Sequence, residues 1–388
     1  MVLGPHGNMW FSYQNATQGG VGVINAATSR VTRFPIDRRG LNYLGQITVG
    51  SDGGMWFTER ERNRIGEIDP ANHRITEFPL TPDSNPEGIT AGPDGNIWFT
   101  ETTGNRIGEI NPRTHRISVI PVPTTNGFPV AITAGRGRLW FAAYISGQIG
   151  EVNPSTHGIT MYDTHAGLPT AVVVTRDGHV WYPEPFLGQI GEMDMKTHRV
   201  IGTFYLPGGS NTGSDMTLGS DGDVWFTEDT IGLIGEIAPA TGVLTAYPVP
   251  TRNGHPESIA RGSAGTLWSG DWNSRHLWRL GPEPFPPAVK TGAAADVTQT
   301  NATLRGVISP VLGSRTSWAF EYGLTRALGR SVPQLHDPQS QLLAGDAAVP
   351  VMVTLSNLAP GRKYYFELVA ENADGIRRSA LRTFRTVP

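Results

Sequence analysis

The sequence contains no cysteine. Disulfide bonds, thiolate catalysis, cysteine-ligated zinc and iron–sulfur clusters are therefore excluded. Lysine is scarce as well, because only three of the 31 basic residues are Lys and the others are Arg. We interpret this skew as the codon usage of a GC-rich bacterial genome rather than as chemistry.

The charges are nearly balanced, with a formal net charge of -3 and no basic or acidic run. Binding to phosphates needs a concentrated basic face, so the sequence argues against nucleic acid as the main partner. The chain has no apolar run of about 18 residues, and no membrane span is predicted. The segment Met1–Trp10 lacks the charged and apolar regions of a signal peptide.

What the sequence does contain is a repeat marked by seven tryptophans that lie 41 to 46 residues apart. Each copy can be divided into four short strands, and an Asp-Gly turn that favours a hairpin often precedes the second strand. Four strands in a period of about 40 to 45 residues are typical of a β-propeller blade. The tryptophans, which we expect in the core between blades, are Trp10, Trp56, Trp98, Trp140, Trp181, Trp225 and Trp268.

These repeats predict a seven-bladed β-propeller over residues 1–281. The first strand of the first blade is shortened to Met1–Leu3, and the seventh blade has no fourth strand of its own. Propellers often close with a strand from the N-terminus. We therefore expect the natural gene to extend upstream of Met1, where the closing strand and a signal peptide would lie.

The C-terminal part of the chain has a different pattern. Residues 282–292 are rich in proline and predict a stiff extended linker. In residues 293–388 the repeat disappears, and alternating strands are predicted at 302–307, 317–323, 351–355, 364–370 and 381–386, as in a β-sandwich. Leu358–Tyr364 resembles the tyrosine-corner segment of fibronectin type III domains. The predicted fold class is all-β, a seven-bladed β-propeller followed by a fibronectin type III-like β-sandwich.

The propeller repeat contains Gly-Ile-Thr, Asp-Gly-x-x-Trp-Phe-Thr-Glu, Asn-x-Ile-Gly and Ile-Thr-Glu-Phe-Pro segments. With these segments it resembles the virginiamycin B lyase (streptogramin B lyase) family over residues 1–281. The resemblance implies a Mg2+-dependent C–O lyase that opens the lactone ring of streptogramin B antibiotics by elimination. The family's two catalytic histidines correspond here to Ser214 and Glu257, and its catalytic glutamate corresponds to Trp272. These three departures argue against the family's own lyase activity in this chain.

In a propeller, the starts of the first strands and the ends of the second strands together form one mouth of the central funnel. We call these positions the mouth. The mouth is rich in carboxylates, and paired carboxylates can bind Mg2+ or Ca2+ or serve as acid and base. A structural role is favoured for four of them, which recur at one repeat position: Glu59, Glu101, Glu184 and Glu228. The starts of the first strands are Gly45, Glu87, Val130, Thr170, Ser214 and Glu257.

Residues that depart from the repeat are better candidates for function. The candidate catalytic residues are Glu87, Glu257 and His255, the one histidine expected on the mouth side. Four other histidines lie in turns at the outer rim and are predicted to be structural: His73, His115, His157 and His198. The predicted ligand contacts are Arg60, Tyr144, Asp215, Asp229, Asp271 and Trp272.

Two functions from different classes remain open at this stage. The first is a secreted, monomeric binding protein whose funnel holds a small molecule, a glycan or a peptide, with the second domain as a spacer or adhesion unit. The second is a divergent metal-dependent lyase or hydrolase that acts on an ester, a lactone or a uronide. The appended domain and the missing histidines favour the first, whereas the acidic mouth favours the second.

Overall fold

The computed structural model describes residues 1–15, 18–36, 43–164, 167–206, 209, 215–249, 254–271, 276–282, 288–309, 316–333, 341–342, 349–372 and 375–388. The chain divides into two compact units, Met1–Gly281 and Pro282–Pro388. No α-helix of membrane-spanning length and hydropathy occurs in the described part of the chain. The predictions at Ser214 and Trp272 fall outside the described residues.

The described residues of the first unit form seven antiparallel sheets, each built from strands that are consecutive in the sequence. The first three sheets contain β1 (Val2–Leu3), β2 (Met9–Asn15), β3 (Gln18–Ile24) and β4 (Val31–Pro35); β5 (Leu44–Val49), β6 (Met55–Glu59), β7 (Arg64–Ile68) and β8 (Ile75–Pro79); and β9 (Pro86–Ala91), β10 (Ile97–Glu101), β11 (Arg106–Ile110) and β12 (Ile117–Pro121).

The next three sheets follow the same plan, and the seventh has three strands in the described residues. They contain β13 (Pro129–Gly135), β14 (Arg138–Ala143), β15 (Gln148–Val152) and β16 (Ile159–Asp163); β17 (Val173–Val174), β18 (His179–Glu184), β19 (Gln189–Asp194) and β20 (Arg199–Tyr205); β21 (Met216–Leu218), β22 (Val224–Glu228), β23 (Leu233–Ala238) and β24 (Val243–Pro248); and β25 (Pro256–Arg261), β26 (Thr266–Asp271) and β27 (Leu277–Pro282).

The hydrophobic core of this unit lies between successive sheets. Trp56 of the second sheet packs in one cluster with Ile89 and Phe99 of the third, and the other sheets repeat this arrangement. Trp268 of the seventh sheet shares a cluster with Phe11 of the first, and β25 contacts β1. The seven repeat tryptophans are at most 3% exposed, so their predicted place in the core is confirmed. The first unit therefore has a propeller-like, all-β fold.

The four rim histidines are turn residues, as predicted. Each lies between the third and fourth strands of its sheet with a positive φ of 56° to 62°. Each also contacts an aromatic ring of the preceding sheet; the rings of His198 and Tyr162, for example, stack at 4.2 Å. These histidines therefore join neighbouring sheets.

In its described residues, the second unit is built from strands. They are β28 (Ala288–Thr291), β29 (Ala302–Ser309), β30 (Thr316–Gly323), β31 (Arg330–Val332), β32 (Gln341–Leu342), β33 (Val349–Leu355), β34 (Lys363–Asn372), β35 (Gly375–Arg378) and β36 (Arg382–Arg385). Strands β28, β29 and β33 form one sheet and the others form a second. Both sheets contribute to one core, with Leu304 from the first and Phe320 and Phe366 from the second.

Two details of the second unit bear on the sequence predictions. The end of the predicted linker is a strand, because β28 pairs with β29 along its whole length. The Tyr364 hydroxyl accepts a hydrogen bond from the backbone N–H of Ala359 at 2.9 Å. This is the local contact that the predicted tyrosine corner requires.

Candidate functional site

The mouth positions of several sheets lie at β-bulges. The register shifts between Pro129 and Ala131 in β13 and between Pro256 and Ser258 in β25. A shift between Phe99 and Glu101 in β10 marks the same place opposite the start of β9. A bulge removes a residue from the regular alternation of side chains and re-aims it. Glu257 lies within the bulge of β25, and its side chain is exposed.

Hydroxyl groups of one sheet bond to the mouth backbone of the next. The Oγ1 atom of Thr58 donates to the carbonyl of Glu87 at 2.8 Å, and that of Thr102 donates to the carbonyl of Pro129 at 2.8 Å. These bonds cross from the second sheet to the third and from the third to the fourth. They therefore fix the backbone from which Glu87 and its neighbours extend.

Glu87 forms an ion pair with Arg60 across the second and third sheets. Arg60 Nη1 lies 3.4 Å from Glu87 Oε1, and the Thr102 hydroxyl oxygen lies 3.5 Å from the other carboxylate oxygen. Burial raises the pKa of Glu87, while the Arg60 charge and the Thr102 hydrogen bond act in the opposite direction. The structure thus unites two predicted site residues, Arg60 and Glu87, in one pair.

A carboxylate cluster occupies the corresponding region of the sixth and seventh sheets. We call Asp215, Asp229 and Glu257 the acidic cluster. Asp229 follows β22 by one residue, as Arg60 follows β6, and Glu257 has the same place in its sheet as Glu87. The second and third sheets therefore place Arg60 and Glu87 at these two positions, whereas the sixth and seventh sheets place Asp229 and Glu257 there. Although Glu257 is exposed, partial desolvation by the surrounding protein raises its pKa, and the charges of Asp229 and Asp215 raise it further.

Asp215 connects the two sheets of the acidic cluster. Its Oδ2 atom accepts the backbone N–H of Ile259 at 3.0 Å, and its Oδ1 atom accepts that of Met216 at 2.9 Å. Burial raises the pKa of Asp215, although these donors and the amino group of Met1 lower it. Asp215 therefore links the sixth sheet to β25 at Ile259, and the ligand contact predicted for Asp215 stays a prediction.

We expect Glu257→Gln to raise the melting temperature at neutral pH but not near pH 4.5, the ordinary pKa of this side chain. A carboxyl whose pKa is raised on folding binds more protons in the folded state, so its contribution to stability falls as the pH rises above that value. Thermal unfolding at the two pH values measures the effect, and Glu61→Gln, at an exposed turn, controls for the loss of one carboxylate. An equal change in the melting temperature of Glu257→Gln at both pH values would contradict the prediction.

Two further predicted site residues of the seventh sheet, Asp271 and His255, are hydrogen-bonded to each other. Asp271 ends β26 as Glu59 ends β6, so it belongs to the recurring carboxylates rather than to the departures from the repeat with which the sequence analysis grouped it. It is 6% exposed and accepts the backbone N–H of His255 at 3.3 Å. This placement supports a structural role for Asp271; the ligand contact assigned to it and the catalytic role of His255 stay predictions.

The predicted ligand contact Tyr144 lies within an aromatic series that the sequence analysis missed. Its ring centroid lies 6.4 Å from that of Phe128 and 6.4 Å from that of Phe186. Phe128 precedes β13 where Asn85 precedes β9, and an alignment of these positions would have shown the change from amide to ring. Phe186 lies in a short 3-10 turn after β18.

A second acidic group, Asp221, Asp223 and Glu236, could hold a cation, since one oxygen of each lies within 4.8 Å of the others. Asp221 and Asp223 lie in the turn from β21 to β22, at the opposite end of these strands from the mouth. Among the described residues, this is the one group of three acidic or histidine side chains with that spacing. The mouth carboxylates do not form such a compact set for the Mg2+ that the family resemblance implies.

Comparisons with known proteins identify the relatives of the first unit. The sequence profile of the Virginiamycin B lyase family matches residues 1–280. No functionally curated protein matches the chain significantly. Among solved structures, virginiamycin B lyase from Staphylococcus aureus is 31% identical with a TM-score of 0.62, over 69% of this chain and 89% of that one.

Two further structures support the same relationship. A streptogramin B lyase is 27% identical with a TM-score of 0.65, over 72% of this chain and 91% of that one. A catalytically inactive histidine-to-alanine variant of the Staphylococcus aureus enzyme, solved with quinupristin, is 27% identical with a TM-score of 0.62, over 70% of this chain and 98% of that one. Through residues 1–280, the chain belongs to the Virginiamycin B lyase family.

Proposed function

We propose that the chain is a binding protein whose seven sheets are the blades of one propeller and whose mouth holds a small molecule or a glycan. The acidic cluster is the observation that carries the proposal. In this cluster the exposed Glu257 interacts with the like charge of Asp229. At the equivalent positions of the second and third sheets, Glu87 is neutralised by Arg60. Like charges held together are unfavourable for the free protein. A ligand that supplies hydrogen-bond donors or positive charge would relieve the repulsion.

Binding without the family's chemistry agrees with the residues at the mouth. Glu257 stands at a position that the family resemblance assigns to a catalytic histidine. In the Staphylococcus aureus relative, replacing a histidine by alanine gives a catalytically inactive protein that was solved with quinupristin. By analogy, a mouth that lacks the histidine can retain a ligand and lose the reaction.

The second candidate is a divergent lyase or hydrolase acting on an ester, a lactone or a uronide. The raised pKa of Glu257 favours it, because a carboxyl that keeps its proton closer to neutral pH can serve as a general acid. Glu87, whose pKa is also raised, could serve as the second group, although its charged neighbour is Arg60. No metal is assigned to this reaction, and Mg2+ or Ca2+ would have to be tested.

Incubation with quinupristin separates the two candidates. We expect calorimetry to detect binding that Asp229→Asn/Glu257→Gln weakens at least about tenfold, the effect of about 1.4 kcal/mol. Chromatography of the same samples, with Mg2+ and with EDTA, should show an intact lactone ring. Ring opening that requires Mg2+ would contradict the binding-only proposal and support the enzyme. Binding that is unchanged in the double variant would place the ligand elsewhere.

For the rest of the chain, we propose a fibronectin type III-like domain over residues 293–388 that acts as a spacer or adhesion unit of a secreted, monomeric protein. Two sheets around one core and the Tyr364–Ala359 contact support the domain assignment. A solution structure of the chain whose second unit has a strand order other than that of a fibronectin type III domain would contradict the domain assignment. Recovery of the protein from the cytoplasm in cell fractionation would contradict secretion, and sedimentation as a dimer would contradict the monomer.

A further inference from the structure

Three aromatic rings form a continuous series across the mouth of the fourth and fifth sheets. We call Phe128, Tyr144 and Phe186 the aromatic series. The planes of Phe128 and Tyr144 are inclined by 49°, and those of Tyr144 and Phe186 by 54°. The backbone N–H of Tyr144 donates to the carbonyl of Phe128 at 3.1 Å, which fixes the two residues relative to each other.

The aromatic series is accompanied by large apolar side chains that are open to solvent. Phe186 is 52% exposed, Ile145 is 51% exposed and Leu187 is 47% exposed. All three follow second strands, so they lie at the same end of their sheets as Tyr144. Single exposed apolar residues are common, but a contiguous exposed group often marks a binding surface.

The backbone at this place is strained. Phe128 has φ 54°, and Leu168, at the same position of the fifth sheet, has φ 53°. Bulky side chains rarely adopt the left-handed region, which asparagine tolerates. The equivalent residue of the third sheet is indeed an asparagine, Asn85, with φ 45°. Strain of this kind is concentrated at functional sites. A phenylalanine at position 128 is therefore less favourable for the backbone than an asparagine would be, which suggests that its ring serves another purpose.

The chemistry of the mouth changes from sheet to sheet. The Arg60–Glu87 pair belongs to the second and third sheets, and the acidic cluster belongs to the sixth and seventh. Between them, the fourth and fifth sheets have one described mouth carboxylate, the recurring Glu184, which is 2% exposed. Their other described mouth positions are uncharged and include Phe128, Val130, Tyr144, Leu168, Thr170 and Pro185. The mouth is thus divided into an apolar aromatic part and an adjoining acidic part.

We propose that the aromatic series is a subsite for an aromatic ring, and that the ligand of the mouth is a cationic aromatic small molecule whose charged group faces Asp229 and Glu257. The inference rests on the proposed function, because it assumes that the ligand occupies the mouth. A flat ring can make offset or edge contacts with the inclined rings of the series. The positively charged group of the ligand would then neutralise the acidic cluster. An anionic ligand would be repelled by the same carboxylates.

Two probes with the same ring and opposite charge test this assignment. Fluorescence anisotropy would compare 2-naphthylmethylammonium with 2-naphthoate on the full chain. We expect the cation to bind and the anion to bind at least about tenfold more weakly, a difference of about 1.4 kcal/mol. No detectable binding of the cation, or equal affinity for both probes, would overturn the proposal.

Variants separate the aromatic subsite from the acidic cluster. Phe186→Ala and Tyr144→Ala should each weaken binding of the cation by about five- to tenfold, as expected for loss of one aromatic contact. Tyr205→Ala is the matched control, because Tyr205 is 76% exposed on the outer strand β20. Asp229→Asn/Glu257→Gln should weaken binding of the cation and reduce the preference of the protein for the cation over the anion.

The pattern of results distinguishes this inference from the proposed function. If only the acidic double variant weakens binding, the aromatic subsite is wrong and the proposed site stands. If only the aromatic variants weaken it, the subsite stands, whereas the cationic class and the acidic site are wrong. If neither set differs from Tyr205→Ala, both proposals are wrong.

Phe128→Asn gives an independent readout, because it introduces the residue that the third sheet uses at this position. We expect weaker binding of the cation together with a melting temperature that is unchanged or higher, since asparagine tolerates the left-handed backbone. A lower melting temperature with unchanged binding would show that Phe128 serves packing, and would remove it from the aromatic series.

Discussion

Replacing Gly108 by alanine is expected to lower the free energy of unfolding by about 3 kcal/mol, the upper part of the range for an overpacked core. Gly108 lies in the middle of β11, directly opposite Phe99 of β10. A Cβ atom on Gly108 would lie 2.2 Å from Cε2 and 2.3 Å from Cζ of Phe99, which is fully buried. The ring cannot move aside, because it packs in the core between the third sheet and the second.

The predicted loss of stability is opposite in sign to the usual effect of replacing glycine by alanine in a strand. Glycine in a strand is usually a cost, so an unobstructed change to alanine should stabilise the chain slightly. Gly158→Ala is the matched control, because its nearest neighbour, Thr156 Oγ1, lies 3.4 Å from the added Cβ. Chemical denaturation should show a large loss for Gly108→Ala and almost none for Gly158→Ala. Equal changes in the free energy of unfolding would contradict the packing that we describe.

The same pairing occurs in six sheets, which explains the recurring glycine of the third strand. The virtual Cβ atom of each glycine lies 2.0 to 2.4 Å from the ring of the second strand. The pairs are Gly22 with Phe11, Gly66 with Phe57, Gly108 with Phe99, Gly150 with Phe141, Gly191 with Tyr182 and Gly235 with Phe226. The repeat motif Ile-Gly is therefore a packing requirement and carries no information about function.

Replacing Arg106 by methionine is expected to cost about 3 kcal/mol, the lower end of the range for removing one partner of a buried ion pair, because the Arg106 side chain is itself 28% exposed. The Nε atom of Arg106 donates to Glu101 Oε2, and the Glu101 side chain is 1% exposed. Methionine fills much of the space but leaves the carboxylate charge in a site with little access to water. Denaturant unfolding of the variant measures the loss of stability.

Two controls test whether burial is the cause. Arg138→Met removes the same kind of partner from Glu151, but that Arg138 side chain is 42% exposed, so a loss below about 1 kcal/mol is expected. Glu101→Gln combined with Arg106→Met should recover part of the stability, because no buried charge is left unpaired. Similar losses for Arg106→Met and Arg138→Met would contradict a structural role for the recurring carboxylates.

Much of the fold could be predicted from the sequence because each blade-like unit repeats the same physical requirements. The tryptophan, the glycine of the third strand and the rim histidine recur, and the structure places each of them in the core or in a left-handed turn. Strand boundaries were less exact: β33 begins at Val349 rather than at the predicted residue 351, and in the third sheet β9 pairs with β10 from Pro86 onward. A bulge at Glu87 interrupts the alternation of side chains, but β9 and β10 remain paired on both sides of it. A prediction based on alternation alone misses the residues beyond the bulge.

The candidate site could be predicted only in part, because its contacts join different sheets. The sequence singled out Asp229 and Glu257 as departures from the repeat. It could not show that Asp215 accepts the N–H of Ile259, 44 residues away, or that Glu87 is neutralised by Arg60. The aromatic series was overlooked because Phe128 and Phe186 precede or follow the repeat motifs instead of belonging to them.

The most direct test of the account is a thermal-shift screen of a small-molecule library on the wild-type chain and on Asp229→Asn/Glu257→Gln, with Glu61→Gln as the control. A ligand that binds only the folded state raises the melting temperature once its concentration exceeds the dissociation constant. We predict that compounds stabilising the wild type also stabilise the control but fail to stabilise the double variant. Stabilisation of all three proteins by the same compounds would contradict a functional site at the acidic cluster.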